Sequence, residues 1–418
     1  MLNIWIVNPQ AVPPDTSGGT RHYDLAKELV KRGHKVSIFA SSFNHATLRE
    51  ERLSTGEKWK KQFFDGVRFI WLKTPPYTKN DLHRFWNILI FSLRLMFVSL
   101  KLPEKPDIII GSSPPPFPAL FAYFLARMRG SIFFFEDRDL WGYSLPLDAL
   151  DNSSIAIKVF INISKMIEKF LYKKSDKIVV APPLGVLWLK FLGISPEKIV
   201  NIPNGVDLES FYSSQNPLSA DLEMFIRSAK AQGYFLVVFT GPLRFAFALD
   251  TLLKAAKLLK ERGYDKIHFL FIGEGPDKPR LVQLSESLGL KNVHFFSPIP
   301  KASIPTLLKQ CDSTIALGKG LRYRWLGYSS SNKLVSYMAA AKPVIVTGQT
   351  LDPIVRRLSC GIEVEPESAE ALCEAIIKLY NMDSKARGEM GKRGLEYIRK
   401  ERDIPILANK LLEAIYKR

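Results

Sequence analysis

Strand-length apolar runs alternate with helix-period segments twice along this chain, and few folds satisfy that pattern. In the first half, residues 3–7, 36–39, 67–72, 108–111, 133–135 and 178–180 are apolar at nearly every position, and helical spacing such as that of residues 21–32, closed by Gly33, falls between them. Runs apolar on both sides are strands covered on both faces, and strands that alternate with helices pair in parallel. The second half repeats the order: strands at 235–240, 267–272, 293–295 and 313–316 alternate with helices at 248–263, 277–288 and 304–311, and another helix is expected at 369–380. A chain of 418 residues is too long for one ordinary core. The expectation is an α/β protein of two doubly wound, Rossmann-like parallel-sheet domains facing each other across a cleft. The division falls after residue 204, in the turn-rich Asn201-Ile-Pro-Asn-Gly-Val-Asp207.

Three cysteines, Cys311, Cys360 and Cys373, show no ligand spacing, so neither a disulfide framework nor a zinc site is expected, and a reducing cytoplasm fits. The opening Met-Leu-Asn-Ile-Trp-Ile-Val reads as a first strand, without the basic flank or cleavage pattern of a leader. The net charge of +18 calls for an acidic partner or surface. In the first half the excess lies in residues 49–105 and 158–177, and both stretches hold dense apolar helices. Residues 85–100 are almost all apolar, with Arg84, Asn87, Arg94 and Lys101 as a narrow polar stripe. Arg94 interrupts the run, and a membrane span needs about 20 apolar residues. In the second stretch Lys158, Asn162, Lys165, Lys169 and Lys173 recur at helical spacing opposite Ile157, Ile161, Ile163 and Ile167. Such a pair of helices suits an anionic membrane surface, each basic side chain adding on the order of 1 kcal/mol. The alternative is that both helices cover the sheet and their lysines are merely solvated. No nucleic-acid partner is expected, because no aromatic-plus-basic reader motif is present.

In open parallel sheets ligands sit beyond the carboxyl ends of the strands. Three loops qualify. Ser17-Gly18-Gly19-Thr20 precedes the helix holding Arg21, His22 and Tyr23, and its glycines let backbone approach an anion. Gly273-Glu274-Gly275-Pro276 ends a strand but lacks the third glycine of a dinucleotide fingerprint. The segment from Asn332 to Gly348 begins a helix capped by Ser329, Ser330 and Ser331, buries Leu334, Val335, Met338 and Ala339, and stops at Pro343 before an apolar strand. Free N–H groups at that start and the Lys333 ammonium favour phosphate oxygens. The plainer alternative is a well-capped surface helix.

With these loops in place, the chain resembles the GT-B fold, retaining glycosyltransferases of family 4, and among them the bacterial enzymes of O-antigen and capsule assembly, including the L-fucosamine (N-acetylfucosamine) transferases. The likeness rests on Ser-Gly-Gly-Thr-Arg-His-Tyr from Ser17, Ala-Lys-Glu-Leu-Val-Lys-Arg-Gly-His from Ala26, Ala-Ser-Ser-Phe-Asn-His from Ala40, Arg-Asp-Leu-Trp from Arg138, Ile-Pro-Asn-Gly-Val-Asp from Ile202, Ile-Gly-Glu-Gly-Pro from Ile272 and Asn-Lys-Leu from Asn332. It implies a nucleotide-sugar domain at 205–384, an acceptor-side domain at 1–204, and final helices, 385–418, that cross back to the first domain. It also implies a UDP-linked sugar donor, a polyprenyl-diphosphate-linked saccharide acceptor, no cofactor, no metal, and a place on the inner face of the cell membrane. The donor and its departing diphosphate would be met by Gly18, Gly19, Gly241, Arg244, Gly273, Gly275, Asn332, Lys333 and Ser336. Arg21, Arg138 and Asp139 would lie on the acceptor side, with His22 and Asp139 either catalytic, orienting or deprotonating the acceptor hydroxyl, or serving structure alone. Glu136-Asp137-Arg138-Asp139 is the nearest thing to a metal-binding run, and an internal ion pair through Arg138 explains it equally well.

Several positions depart from the family pattern. The usual pair of glutamates eight apart is replaced by Tyr328 and Ser336, and Ala341 stands where glycine is usual. Gly241-Pro-Leu-Arg-Phe-Ala-Phe brings Phe245 and Phe247 into a turn expected to be glycine-rich, where they would crowd a diphosphate. Pro115 replaces a frequent histidine, and Pro182 falls within a typical Ser-Glu site. Two readings follow: a transferase with a more apolar pocket, or a noncatalytic GT-B scaffold that binds a ligand or partner. A sugar-nucleotide epimerase on the same scaffold is a weaker third.

Overall fold

A computed structural model describes residues 1–16, 18–78, 82–139, 155–213, 216–319, 331–347 and 353–417, without the side chains of residues 82 and 155–157. The chain divides into two compact units, Met1–Asn204 with Ile404–Arg418, and Gly205–Asp403.

The first unit carries β1 (Asn3–Val7), β2 (Lys35–Ser41), the short hairpin of β3 (Phe43–Asn44) and β4 (Arg49–Glu50), β5 (Trp59–Phe64), β6 (Val67–Leu72), β7 (Ile108–Ser113), β8 (Ile132–Asp137), β9 (Lys177–Val180) and β10 (Ile199–Asn201). Its main sheet runs β10-β9-β8-β7-β1-β2-β6-β5, parallel except for β5. That edge strand was not legible as a parallel core run because it is amphipathic; its exposed Lys60 and Lys61 discourage further pairing. Side chains alternate along each strand. Ile4, Ile6, Ile38, Phe69 and Trp71 face Leu29 of helix α1 (Arg21–Lys31) and Leu407 and Leu411 of the last helix, Ile404–Tyr416. On the other face lie α2 (Leu82–Leu100), α3 (Pro116–Arg129) and α4 (Ile155–Lys174), α3 packing on β7 and β8 and touching both of its neighbours.

The second unit has six parallel strands, β11 (Phe235–Thr240), β12 (Ile267–Ile272), β13 (Val293–Phe296), β14 (Ser313–Ala316), β15 (Val344–Thr347) and β16 (Gly361–Val364), in the order β13-β12-β11-β14-β15-β16. Separate apolar layers cover its faces. Leu236, Val238, Leu334, Met338 and Ile398 share one, and Phe235, Val237, Phe239, Leu252 and Ile376 the other. Of the C-terminal stretch expected to return to the first domain, only Ile404–Tyr416 lies in that unit. The helix Ser384–Tyr397 stays in the second because Gly391 and Gly394 bring it against Ala341 and Met338; a Cβ on Gly391 would fall 1.9 Å from the Ala341 carbonyl oxygen.

His268 on β12 and His294 on β13 stand side by side, Nδ1 to Nε2 3.0 Å, with rings stacked 5.3 Å apart and flanked by Tyr234 and Phe225. Burial lowers both imidazole pKa values, that of His294 to about 4, with its neighbour adding to the effect. Groups held below their unfolded value near 6.5 bind more protons when the chain unfolds. Their contribution is therefore complete above pH about 6.5 and lost as pH falls towards about 4. Urea midpoints between pH 7 and 4 should fall less steeply for His294→Phe than for the unaltered protein; parallel curves would refute the assignment.

Candidate active site

In the second unit the carboxyl ends of β11 and β12 meet through glycines. Gly241 has φ +125°, and a Cβ there would lie 2.6 Å from Lys333 Cε. A Cβ on Gly273 would meet the Gly241 carbonyl oxygen at 2.0 Å, and one on Gly275 the Leu243 carbonyl oxygen at 2.2 Å. Gly273 and Gly275, expected at the phosphates, thus serve backbone packing between two loops, reinforced by the Leu243 N–H donating to the Glu274 carbonyl at 2.9 Å.

The helix Asn332–Ala339 starts beside Gly241. Tyr337, fully buried, anchors it: the Thr240 N–H donates to Tyr337 Oη at 2.9 Å, and burial pushes the phenol up to about 12. Ser331 occupies the cap position but makes no side-chain capping bond; Ser329, Ser330 and Tyr328 lie outside the described residues. Asn332 is exposed, Ser336 is half-buried one turn later, and Arg244 is exposed. Ala341 adopts φ +54°, so its Cβ brings the strain of a left-handed backbone, about 1 kcal/mol, where glycine would bring none.

The two phenylalanines expected to crowd a ligand have other contacts. Lys333 Nζ lies 3.6 Å from the Phe247 ring centroid and 4.0 Å from that of Phe239. Phe245 points outward, 59% exposed, and Lys319 Nζ sits 3.2 Å over its ring. Lys319 was missed in sequence, although it follows the run 313–316 and so stands at a strand's carboxyl end by the rule that singled out Gly273. Its segment is held by Thr347 Oγ1, which accepts from the Gly318 N–H at 2.7 Å.

In the first unit Gly18 has φ +147°, with Val12 Cγ2 2.8 Å from where a Cβ would be, and Gly19 is exposed. Arg21 and His22 are buried, 6% and 3% exposed. Arg21 Nε donates to Glu136 Oε1 at 3.0 Å, and its terminal nitrogens donate to the carbonyls of Pro203 and Ile202 at 2.6 and 2.5 Å. His22 Nε2 lies 2.6 Å from Glu136 Oε2 and 3.2 Å from Ser112 Oγ. Burial holds His22 towards its neutral form despite Glu136. Burial would raise the Glu136 carboxyl, but the hydrogen bond from His22 and the Arg21 guanidinium outweigh it and hold it well below the usual carboxylate range. Arg21, expected to meet the acceptor, therefore fastens β8 to the 202–204 segment, and His22 joins the carboxyl ends of β7 and β8. Arg138 is half-buried and Asp139 exposed just past β8. Asp137 accepts from Tyr172 Oη of α4. Pro115 and Pro182 are both buried. Among the described residues no cluster of three His, Cys, Asp or Glu could hold a metal, and the three cysteines are buried. Sequence reading also passed over His45, whose Nδ1 hydrogen-bonds Tyr77 Oη beside a small cavity lined by Ser41, Asn44 and Glu51.

The helical face of the first unit alters the expected membrane residues. Arg94 donates to the Lys73 carbonyl and Asn87 to Thr74 Oγ1 and the Pro75 carbonyl, so the polar stripe of α2 turns inward to satisfy backbone beyond β6. Arg84 is half-buried and Lys101 exposed. The outward residues are apolar: Trp86, Leu93, Phe97 and Leu100 on α2, Phe124 and Met128 on α3, and Val159, Ile163 and Met166 on α4. On α4, Lys158, Lys169 and Lys173 are exposed and Lys165 is half-buried. No helix among the described residues is long and apolar enough to cross a membrane.

Comparison with known proteins agrees with this architecture. Residues 18–210 match the family described as Glycosyltransferase Family 4, and residues 234–382 that described as Glycosyl transferases group 1. WcaI of Escherichia coli (strain K12), named as a colanic acid biosynthesis glycosyl transferase, is 21% identical over 380 residues, 87% of this chain and 88% of that protein. HepE of Anabaena, solved in complex with UDP and glucose, superposes with a TM-score of 0.68 at 14% identity, covering all of both chains. WaaG, a glycosyltransferase involved in lipopolysaccharide biosynthesis, gives 0.66 at 16% identity over 99% of each. The fold is GT-B.

Removing the Glu136 charge leaves the Arg21 guanidinium buried without its counterion. Glu136→Gln is expected to lower stability by about 3–5 kcal/mol, read as loss of amide-exchange protection in β1, β7 and β8. A loss under about 1 kcal/mol would show that the two carbonyls suffice.

Proposed function

Because the chain belongs to family 4 of the glycosyltransferases, we propose that it moves a sugar from a UDP-linked donor to a polyprenyl-diphosphate-linked saccharide during surface polysaccharide assembly, with retention and without a metal. The observation that carries this reading is the Lys333 ammonium at the start of a helix, beside Gly241 and the carboxyl end of β11. The UDP held by the Anabaena relative supports the choice of donor, and the names of WcaI and WaaG support the setting.

Retaining transfer passes through an oxocarbenium-like state while negative charge grows on the leaving diphosphate. Cations and N–H groups already aimed at that charge lower the barrier most. Lys333, Arg244 and Asn332 are the donor-side groups in this reading. Asp139 orients the acceptor hydroxyl, and His22 keeps its edge of the sheet in place through Glu136. Ser336 offers a ribose hydroxyl one neutral hydrogen bond where a glutamate would accept charge-assisted ones, so donor affinity is modest.

The lipid-linked acceptor fits the helical face. Trp86, Phe97 and Met166 are exposed among Lys101, Lys158, Lys169 and Lys173, an apolar surface with basic neighbours that suits anionic lipid on the cytoplasmic leaflet.

With a UDP-sugar and lipid-linked acceptor, purified protein should release UDP, and Lys333→Ala should reduce kcat/KM about 10²–10³-fold. Turnover by that variant near the unaltered rate would overturn the phosphate assignment; UDP binding without turnover would favour the noncatalytic scaffold, and donor isomerisation the epimerase. On phosphatidylglycerol-rich vesicles, Trp86→Ser with Phe97→Ser should abolish co-sedimentation at any salt, whereas Lys169→Glu with Lys173→Glu should weaken it at low salt only. Unchanged sedimentation of both would return this face to ordinary solvated surface.

A further inference from the structure

The turn after β11 places one aromatic ring under each of two lysines. Phe247 carries Lys333 at 3.6 Å and Phe245 carries Lys319 at 3.2 Å, measured from Nζ to ring centroid. The lysines come from different segments, one from the helix Asn332–Ala339 and one from the stretch after β14. The turn that joins them is fixed by backbone bonds: the Phe247 N–H donates to the Arg244 carbonyl at 2.9 Å and the Lys319 N–H to the Ala246 carbonyl at 3.3 Å. Gly241 completes the seat of Lys333, because its missing side chain is the space through which the lysine stem passes. The fully buried Phe239 closes the far side, 4.0 Å from the ammonium.

Taking the donor reading above as its basis, we propose that Phe245 and Phe247 are positioning residues that hold Lys319 and Lys333 for a nucleoside diphosphate. The physical reason lies in what a ring does to a cation. A carboxylate at the same distance would fix a lysine but cancel its charge; the face of an aromatic ring attracts the ammonium through its quadrupole and adds no counter-charge. Lysine has a flexible four-carbon stem with much rotamer freedom, so a pre-set position is where such a residue gains affinity.

Calorimetric titration of UDP into the full chain tests this, with thermal melts of each variant confirming that it is folded. Phe247→Leu and Phe245→Leu are each expected to weaken UDP binding about three- to thirty-fold, while Phe247→Tyr, which keeps the ring, stays close to the unaltered protein. Phe247→Leu made in a Lys333→Met background should cause no further loss, because the ring acts through the lysine. Leucine variants that bind UDP as well or more tightly would overturn the proposal and make the rings an obstruction; so would additive losses in the double variant. If Lys333→Met weakens binding and the leucine variants do not, only the ring assignment falls. If the unaltered protein binds neither UDP nor inorganic diphosphate, the donor reading fails and this one with it.

Discussion

Each unit is a parallel sheet covered on both faces by apolar side chains, which leaves the strand ends as the place where polar groups can gather without a large desolvation cost. Everything of chemical interest in the chain follows from that constraint. In the second unit Gly241 follows β11, Lys319 follows β14, and Lys333 begins the helix beside Gly241; the carboxyl ends of β1, β7 and β8 bear Asn8, Ser112, Glu136 and Asp139. The faces are mainly apolar, with exceptions such as the pair of His268 on β12 and His294 on β13.

The two units use charge in opposite ways at these edges. In the first, Arg21 and Glu136 are almost wholly buried and neutralise one another, with His22 bonded to the same carboxylate. A buried pair of this kind is costly to break and contributes geometry more than attraction for a ligand. In the second, Lys333 and Lys319 rest on the faces of aromatic rings. In the proposed function the anionic donor accordingly falls to the second unit, and the exposed Asp139 of the first is the group offered to the acceptor hydroxyl.

The departures from the family pattern acquire physical meaning in this light. Phe245 and Phe247 suggest obstruction when read along the chain, yet each seats a cation. Ala341 looks like the mildest change, yet it carries a left-handed backbone with a side chain on it. Gly273 and Gly275 look like phosphate contacts and instead let two loops touch backbone to backbone. On the helical face, the inward turn of Arg94 and Asn87 leaves Trp86 and Phe97 as exposed side chains of α2.

The two-sheet α/β architecture was plain from residue order, because fully apolar runs such as 108–111 and 267–272 can be stable only as strands covered twice, and this holds whatever they pack against. The starts of the helices holding Arg21 and Lys333 were equally visible. What residue order left open was every property that depends on segments far apart in the chain: Glu136 reaching Arg21 and His22, Phe247 lying under Lys333, β5 running antiparallel at an edge, and the split of the C-terminal helices at Ile404. Periodicity reports which face of an element is apolar, whereas the partner of a charged side chain is set by three-dimensional proximity, and only the folded chain brings residues more than a hundred positions apart to within 3 Å.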